Sequence, residues 1–155
     1  MLVTPRGPDQ HEHGAFDMAF TEDSRDSEIW KGIPGWEGLY QASSHGRIRG
    51  VARTKQHKSK KGLWFDQPRK ERVLSPGYTE KGYQVVCLND SRNGRRKTFR
   101  VHRLVCLTFH GASDGVRTEV AHNNGIRDDN RAINLRWATH IENMADIAIH
   151  RAALG

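Results

Sequence analysis

The chain has few cysteines and no long apolar segment. Its two cysteines, Cys87 and Cys106, form no CxxC pair, which argues against a zinc site or a disulfide framework and fits a reducing cytosol. No purely apolar run is longer than that of residues 104–107, which is far too short to span a bilayer. The N-terminus has no positive stretch followed by an apolar one, as a signal peptide would. We therefore expect a cytoplasmic protein of one or two small domains, without a membrane partner.

Charge is distributed unevenly along the sequence. Residues 1–28 contain seven acidic residues and two arginines, whereas residues 29–155 contain 23 lysines and arginines against 11 acidic residues. The sequence pI is near 9.8. A basic body of this size favours a polyanionic partner, and the alternative is a solubilising surface.

Composition divides the chain into three predicted parts. Residues 1–27 are acidic, spotted with proline and glycine and without a period, which predicts a flexible leader. Alternating apolar residues at 16–20 would allow a short strand there. Residues 28–100 are predicted to form a β-rich region, and residues 101–152 a second, helix-containing domain.

Turn signals organise the β-rich region. They predict strands over residues 36–40 and 47–51. Residues 52–72 follow as a predicted basic, irregular loop with Trp64 and Phe65 in its middle.

Local signals are strongest after this loop. Asn93-Gly94 predicts a two-stranded hairpin. Apolar residues from Val101 to Phe109 keep a spacing of three and four, so the second strand of the hairpin should run into an amphipathic helix. Gly111 should end that helix.

The C-terminal segment predicts two strands and a helix. Residues 119–122 and 135–138 have the pattern of short strands, and Thr139 with Glu142 forms a capping box that begins the helix. The apolar face of this helix consists of Ile141, Met144, Ala145 and Ala148. The predicted fold class is therefore α+β, with an antiparallel β-rich region first.

Three residues of this segment carry the strongest functional signal. His122, Asn134 and Asn143 occur in this order within VAHNNGIRDDNRAINLRWATHIENMAD, residues 120–146. The order resembles an HNH nuclease site, in which a ββα-metal (His-Me finger) motif closes on one divalent ion. We interpret residues 101–152 as such a nuclease domain on the strength of this resemblance.

Two further segments carry the same resemblance. VHRLVCLTFHG, residues 101–111, is similar to the lead-in helix of the homing-endonuclease branch of the HNH superfamily. EIWKGIPGWEGLYQASSHGRIRG, residues 28–50, is similar to the modular N-terminal domain of phage and intron HNH endonucleases. The resemblance implies a DNA-binding role for residues 28–100, and the host cytoplasm as the location of a phage-encoded chain.

The resemblance also implies a role for each of the three residues. His122 takes the position of the general base that activates a water. Asn134 takes the position of the asparagine that holds the hairpin loop and orients the histidine. Asn143 takes the position of the metal ligand, facing the same cation as the base, and its amide oxygen suits Mg²⁺, or Mn²⁺ as a similar ion. The ordinary alternatives are a structural histidine, a turn asparagine and a solvent-facing helix asparagine.

One position departs from the family pattern. The family usually has a second metal ligand directly before the base, and this chain has Ala121 there. Three explanations remain open: Asp146 completes the site, water and DNA phosphate hold most of the metal, or the protein is impaired in cleavage. Asp128 and Asp129 are interpreted as residues of a turn and not as metal ligands.

Basic residues are dense in the β-rich region. Residues 47–103 carry 17 lysines and arginines against four acidic residues. The candidate DNA-binding residues are Arg47, Arg49, Arg53, Lys55, Arg95, Arg96, Lys97 and Arg100. Phosphate contacts give affinity and salt sensitivity, and arginines inserted into a groove can also read guanine edges. The alternative for each is a solvated side chain.

Three hypotheses for the function follow. The preferred one is a phage- or mobile-element-type endonuclease that acts on double-stranded DNA. No helix-turn-helix module follows in this sequence, so we expect modest specificity, and a monomer or weak dimer that nicks one strand at a time. The second, based on Ala121, is a DNA-binding protein of the same fold that does not cleave. The third is a nuclease accessory to phage DNA packaging that contacts a packaging protein through the acidic leader.

Overall fold

The computed structural model describes residues 27–155, so residues 1–26 of the predicted leader lie outside the described part. Within it the strands are β1 (Trp30–Gly32), β2 (Tyr40–Ser43), β3 (Ile48–Gly50), β4 (Arg53–Lys58), β5 (Trp64–Arg69), β6 (Arg72–Val73), β7 (Gly77–Tyr78), β8 (Gln84–Asp90), β9 (Arg95–Arg100), β10 (Glu119–His122) and β11 (Leu135–Ala138). The helices are α1 (Val101–His110), α2 (His140–Leu154) and a short 3₁₀ helix (Ala132–Asn134). The strands pair antiparallel, which confirms the predicted α+β class.

The N-terminal sheet has the strand order β1-β2-β3-β6. β3 lies within residues 47–51 and confirms the strand predicted there. The strand predicted over residues 36–40 is wrong. The amides of Leu39 and Tyr40 both donate to the carbonyl of Trp36, so the chain turns there and β2 begins only at Tyr40. Trp36 and Leu39 are buried all the same, which explains why this turn has the apolar pattern of a strand.

The prediction of an irregular loop over residues 52–72 is also wrong. β4 and β5 form an antiparallel hairpin that is paired along the full length of both strands. Every residue of β5 is exposed, so no buried face imposes an alternation of apolar and polar residues on the sequence. His57 stacks on Phe65 across the hairpin, with ring centroids 5.8 Å apart. Trp64 is 65% exposed and does not anchor this hairpin to the core.

The hairpin and helix predicted next in the chain are confirmed. β8 pairs with β9 through a turn that contains Asn93 and Gly94, with Gly94 at φ 61°. This left-handed conformation is the one that glycine adopts without strain. β9 continues directly into α1, which ends before Gly111.

Helix α1 forms the centre of the core. Val101, Leu104, Val105 and Cys106 of α1 are buried. They belong to one apolar cluster with side chains from the N-terminal sheet, from β8 and from β11, including Ile33, Ile48, Leu88 and Leu135. Each buried aliphatic side chain of this size stabilises the fold by roughly 1.5–3 kcal/mol. The core therefore continues across residue 100, where the sequence analysis divided the chain.

The C-terminal unit consists of the β10–β11 hairpin and α2. Both predicted strands are confirmed, as is the capping box, in which the Glu142 amide donates to the Thr139 hydroxyl and the Thr139 amide to the Glu142 carboxylate. The predicted apolar face of α2 is not buried, since Ile141 is 81% exposed and Met144 50% exposed. Neither helix of the described residues has the length and apolarity that crossing a membrane requires.

Polar contacts determine which face of α2 packs on the hairpin. Asn143, Asp146 and His150, spaced three and four residues apart, bind Glu119, Arg136 and the Asn123 carbonyl, respectively. Helical periodicity locates an apolar stripe but contains no information on such hydrogen-bond partners.

Candidate active site

Two faces of β10 bear the candidate residues, because successive side chains of a strand alternate in direction. His122 contacts His102 of α1, with ring centroids 5.2 Å apart. Glu119 accepts a hydrogen bond from Asn143 of α2. We call the side of β10 with His122 the α1 face and the side with Glu119 and Ala121 the α2 face. His122 and Asn143 were expected to face one cation, but their side chains lie on opposite faces of β10.

His122 is held in a chain of hydrogen bonds that begins in the N-terminal half of the molecule. Its Nε2 lies 3.2 Å from Oδ1 of Asn130. Asn130 donates from Nδ2 to Oε1 of Gln84, and Gln84 donates from Nε2 to the hydroxyl of Tyr78. An amide oxygen only accepts hydrogen bonds, so this chain places the proton of His122 on Nε2 and leaves a lone pair on Nδ1.

The Nδ1 atom of His122 reaches the molecular surface. Within residues 27–155, one buried side-chain nitrogen or oxygen has no hydrogen-bond partner, and this atom is Nδ1 of His102. The hydrogen bond of His122 is made by Nε2, and its Nδ1 is not among the buried, unpartnered atoms. The lone pair is therefore placed where a water molecule can meet it, although the residue as a whole is 8% exposed.

Burial keeps both histidines of the α1 face neutral. It lowers the pKa of His122 below its ordinary value, and this effect outweighs the hydrogen bond with Asn130 and the charges of Asp129 and Asp128, which raise it. Burial also lowers the pKa of His102 to about 3. A neutral imidazole at pH 7 is the form that accepts a proton.

Asn134 braces the loop that follows β10. Its Oδ1 accepts from the Asn124 amide at 3.0 Å, and its Nδ2 donates to Oδ1 of Asn124 and to the Asp129 carbonyl, both at 2.9 Å. These contacts are those of a loop-holding asparagine. The residue that accepts the hydrogen bond of His122 is instead Asn130. Asn130 was not predicted, because its position directly after two aspartates has the pattern of an ordinary turn.

Asn143 lies in a polar cluster on the α2 face. Its Nδ2 donates to Oε2 of Glu119 at 2.7 Å, and Nδ1 of His140 lies 2.9 Å from Oε1 of the same carboxylate. The hydrogen bond from Asn143 contributes most to lowering the pKa of Glu119, followed by that from His140. The sequence analysis missed Glu119, although its position two residues before Ala121 on a strand places both on one face.

An arginine occupies the position opposite Ala121. Ala121 and Arg136 are paired residues of β10 and β11. Arg136 donates from Nη1 to Oδ1 of Asn123 at 2.6 Å, and its Nη2 forms an ion pair with Asp146. Asp146, a candidate metal ligand in the sequence, is thus bound to a guanidinium.

The donor set fits a divalent ion only in part. Residues 27–155 contain no cluster of three or more histidine, cysteine, aspartate or glutamate side chains arranged to hold a metal. The Glu119 carboxylate and the Asn143 amide oxygen are hard oxygen ligands of the kind that Mg²⁺ prefers, with waters and substrate phosphate filling the remaining positions. These two residues would hold the ion, and Ala121 contributes nothing.

Three of the candidate DNA-binding residues lie between residues 47 and 53 and donate hydrogen bonds to groups of the protein. Arg47 forms an ion pair with Glu28. Arg49 donates to Gln41 and Glu71, both at 2.8 Å. Arg53 donates to the carbonyls of Leu39 and Val51.

The other five lie on two hairpins. Lys55 is on β4, and the remaining four lie along β9. The Arg95 guanidinium lies 3.8 Å from the centre of the Trp36 ring, Arg96 donates to the sulfur of Cys87, and Lys97 lies over Phe99.

Arg100 and Arg127 bring positive charge to Tyr83, the ring beside His122. The guanidinium of Arg100 lies 5.2 Å from the centre of the Tyr83 ring, and that of Arg127 lies 5.5 Å from it. Tyr83 itself lies 6.2 Å from the His122 ring. Arg127 was not among the predicted residues, because it belongs to a loop that only the fold brings to Tyr83.

Comparisons with known proteins match both the β-rich region and the C-terminal segment. Residues 28–89 match the NUMOD4 motif, and residues 99–145 match the HNH endonuclease family. The chain is 36% identical over 111 residues to the DNA endonuclease I-HmuI of Bacillus phage SP01. The aligned residues make up 71% of this chain and 52% of that protein. The chain is also 33% identical over 124 residues to an uncharacterised HNH endonuclease of Acanthamoeba polyphaga mimivirus, which covers 78% of this chain and 26% of that protein.

The fold is similar to that of a solved nuclease. The structure of the HNH homing endonuclease I-HmuI, described as binding and cleaving DNA, matches with a TM-score of 0.58 and 32% identity, over 82% of this chain and 61% of that one. The chain spans about half the length of I-HmuI and a quarter of the viral protein. Residues 99–145 thus belong to the HNH endonuclease family, and the chain is a homologue of I-HmuI with a NUMOD4 motif before its HNH segment.

Proposed function

We propose that this chain is an HNH endonuclease that binds duplex DNA and hydrolyses its phosphodiester bonds with His122 as general base. The observation that carries the proposal is the setting of His122: its Nε2 lies 3.2 Å from the Asn130 amide oxygen, which only accepts hydrogen bonds, and its Nδ1 has no hydrogen-bond partner among the described residues. The likeness to I-HmuI, a protein named as a DNA endonuclease, supports the same reaction class.

In this proposal His122 removes a proton from the attacking water through Nδ1. Asn130 keeps the other ring nitrogen protonated and the ring in place, and Gln84 keeps the Asn130 amide in the orientation that this requires. A general base of this kind contributes about 10²- to 10⁴-fold to the rate. A divalent ion, which we propose to be Mg²⁺ or Mn²⁺, supplies Lewis acidity at the phosphate when bound. Glu119 and Asn143 are the residues that would hold it.

The exposed cations beside His122 and along β9 bind the DNA backbone in this proposal. Arg100 and Arg127 lie over Tyr83, whose ring is 6.2 Å from that of His122, and Arg96 and Lys97 extend the positive surface along the hairpin. Phosphate contacts of this type make affinity fall with salt. Because the described residues contain one such site, a monomer would cut one strand in each binding event.

Nicking of supercoiled plasmid in Mg²⁺ or Mn²⁺ tests the proposal. His122→Ala should lower the nicking rate about 10²- to 10⁴-fold, because the general base is lost, while DNA affinity stays within about twofold of the parent. His57→Ala is the matched control, since His57 lies on β4, away from β10, and should leave the rate unchanged. Equal nicking by His122→Ala and the parent would contradict the assignment.

A second candidate function is DNA binding without cleavage. It is favoured by one observation: the position opposite Ala121 holds the Arg136–Asp146 ion pair and not a second metal ligand. The same assay distinguishes the two functions, because this candidate requires salt-dependent binding with no nicking in either metal.

A further inference from the structure

The guanidinium of Arg136 lies at the end of β10, next to the proposed reaction site. It donates a hydrogen bond to Asn123, the residue that follows His122, and forms an ion pair with Asp146 of α2. Its paired residue across the hairpin is Ala121, whose methyl group brings no charge to this position. The side chain of Arg136 is 40% exposed, so its guanidinium, paired with Asp146, faces solvent opposite the position where the family usually carries a metal ligand.

The contacts of Arg136 leave some of the N–H donors of its guanidinium without a partner among the described residues. A guanidinium has five N–H donors in a planar fork. Arg136 uses one nitrogen on the Asn123 amide oxygen and one on Asp146. Two anchors hold the group in place, and the remaining donors can bind the oxygens of a phosphate without a large loss of side-chain entropy.

A second arginine–aspartate pair of the same unit shows the contrasting arrangement. Arg131 binds Asp129 through Nε at 2.8 Å and through Nη2 at 2.7 Å, so the fork of the guanidinium is closed on one carboxylate. Arg136 makes a single contact with its carboxylate. Both arginines are partly exposed, but the bidentate pair of Arg131 already satisfies the edge that would bind a phosphate.

We propose that Arg136 binds a DNA phosphate directly at the end of β10, with Asn123 and Asp146 as its positioning residues. This inference rests on the proposed binding of duplex DNA, but it does not require cleavage. The guanidinium neutralises a phosphate on the α2 face without a metal ligand at position 121. This part of DNA binding is therefore independent of divalent ions.

The test measures DNA affinity by fluorescence anisotropy in EDTA, over a series of salt concentrations. Arg136→Gln should weaken binding about tenfold at the lowest salt, as expected for a lost charge-assisted hydrogen bond. It should also make the slope of log K against log salt less negative by about 0.9, the value for one phosphate contact on duplex DNA. Arg136→Lys should keep the slope and lose part of the affinity, because the charge remains without the fork. Arg131→Gln is the matched control and should keep the parent slope.

Ala121→Asp provides an independent test. The new carboxylate would lie opposite Arg136 on the same face of the hairpin and pair with it, so affinity in EDTA should fall severalfold and Mg²⁺ should restore it. Parent-like slopes and affinities for Arg136→Gln would overturn the inference while leaving the proposed function intact. Metal-free affinity of Ala121→Asp equal to that of the parent would overturn it as well. A parent chain that binds no DNA at all would overturn both.

Discussion

The two faces of β10 differ in the charge of their side chains. On the α1 face, His122 and His102 are buried and neutral, and the imidazole of His122 has its proton placed by a chain of amide hydrogen bonds. On the α2 face, Glu119 and Arg136 are partly exposed, charged and bound to α2. One strand thus carries a neutral imidazole on one side and charged side chains on the other, and alternation of side chains keeps these environments apart.

The faces also differ in which parts of the chain build them. The α2 face is made of residues of the C-terminal unit: those of β10, β11 and α2, and Asn123 of the loop that follows β10. The α1 face depends on the N-terminal region: Gln84 binds Asn130, and the Ala132 amide donates to the Ser44 carbonyl at 2.9 Å. Gly46 approaches Asn130 so closely that a Cβ added to it would lie 2.5 Å from the Asn130 carbonyl carbon. The geometry of the base is therefore set by contacts between distant segments.

The largest effect should come from disturbing the close approach of Gly46 to the Asn130 backbone, which supports the α1 face. Gly46→Ala places a methyl group against the Asn130 backbone and forces alanine into φ 83°. We expect a loss of about 3 kcal/mol in the free energy of unfolding, from overpacking and backbone strain together. Chemical denaturation measures this value.

Gly38→Ala separates these two causes. Gly38 has a similar φ of 70°, but a methyl group at this position would meet no atom within 4 Å. This variant should lose only about 1 kcal/mol, the strain alone. Equal losses for the two variants would show that the approach of Gly46 to Asn130 has no energetic importance.

Asn130→Asp should alter the α1 face without touching the α2 face. A general base works in its neutral form, so the nicking rate rises with pH through the pKa of His122 and then reaches a plateau. Burial lowers that pKa in the parent, so its plateau should extend below pH 6.5, the ordinary value for histidine. A carboxylate at position 130 favours the imidazolium and raises the pKa, so the rising limb should move to higher pH, with a rate at pH 6 about tenfold below the parent.

A pH–rate profile from pH 5 to 8 measures this effect. Asn130→Ala is the control: it removes the hydrogen bond without adding charge, and it should lower the plateau. A lower plateau with no shift of the limb in Asn130→Asp would mean that Asn130 has only a structural role.

The smallest effect is expected on the outer side of α2. Ile141→Ser should change the free energy of unfolding by less than about 0.5 kcal/mol, because the side chain is 81% exposed and makes no buried contact that could be lost. Leu135→Ala, at a position that is 2% exposed, should cost about 2–5 kcal/mol by comparison. A large loss for Ile141→Ser would mean that another surface covers α2 in solution.

Features that depend on residues close together in the sequence were predictable, and features that depend on distant residues were not. The Asn93-Gly94 turn, the capping box of Thr139 and Glu142, and the spacing that forms α1 depend on residues a few positions apart, and all three are confirmed. The β4–β5 hairpin was missed because its stability comes from pairing across the turn with no buried face to mark it. The roles of the site residues themselves remain predictions.

The sequence by itself determined the short-range features of this protein: the turns, the helix start, the order of His122, Asn134 and Asn143, and the likeness to HNH nucleases. Only the tertiary structure decided that Asn130 and Gln84 orient His122, that Arg136 faces Ala121, and that α2 packs through its polar side. The physical reason is that a hydrogen bond or ion pair depends on distance and direction in space. Between residues such as Gln84 and Asn130, 46 positions apart, these exist only once the core has formed.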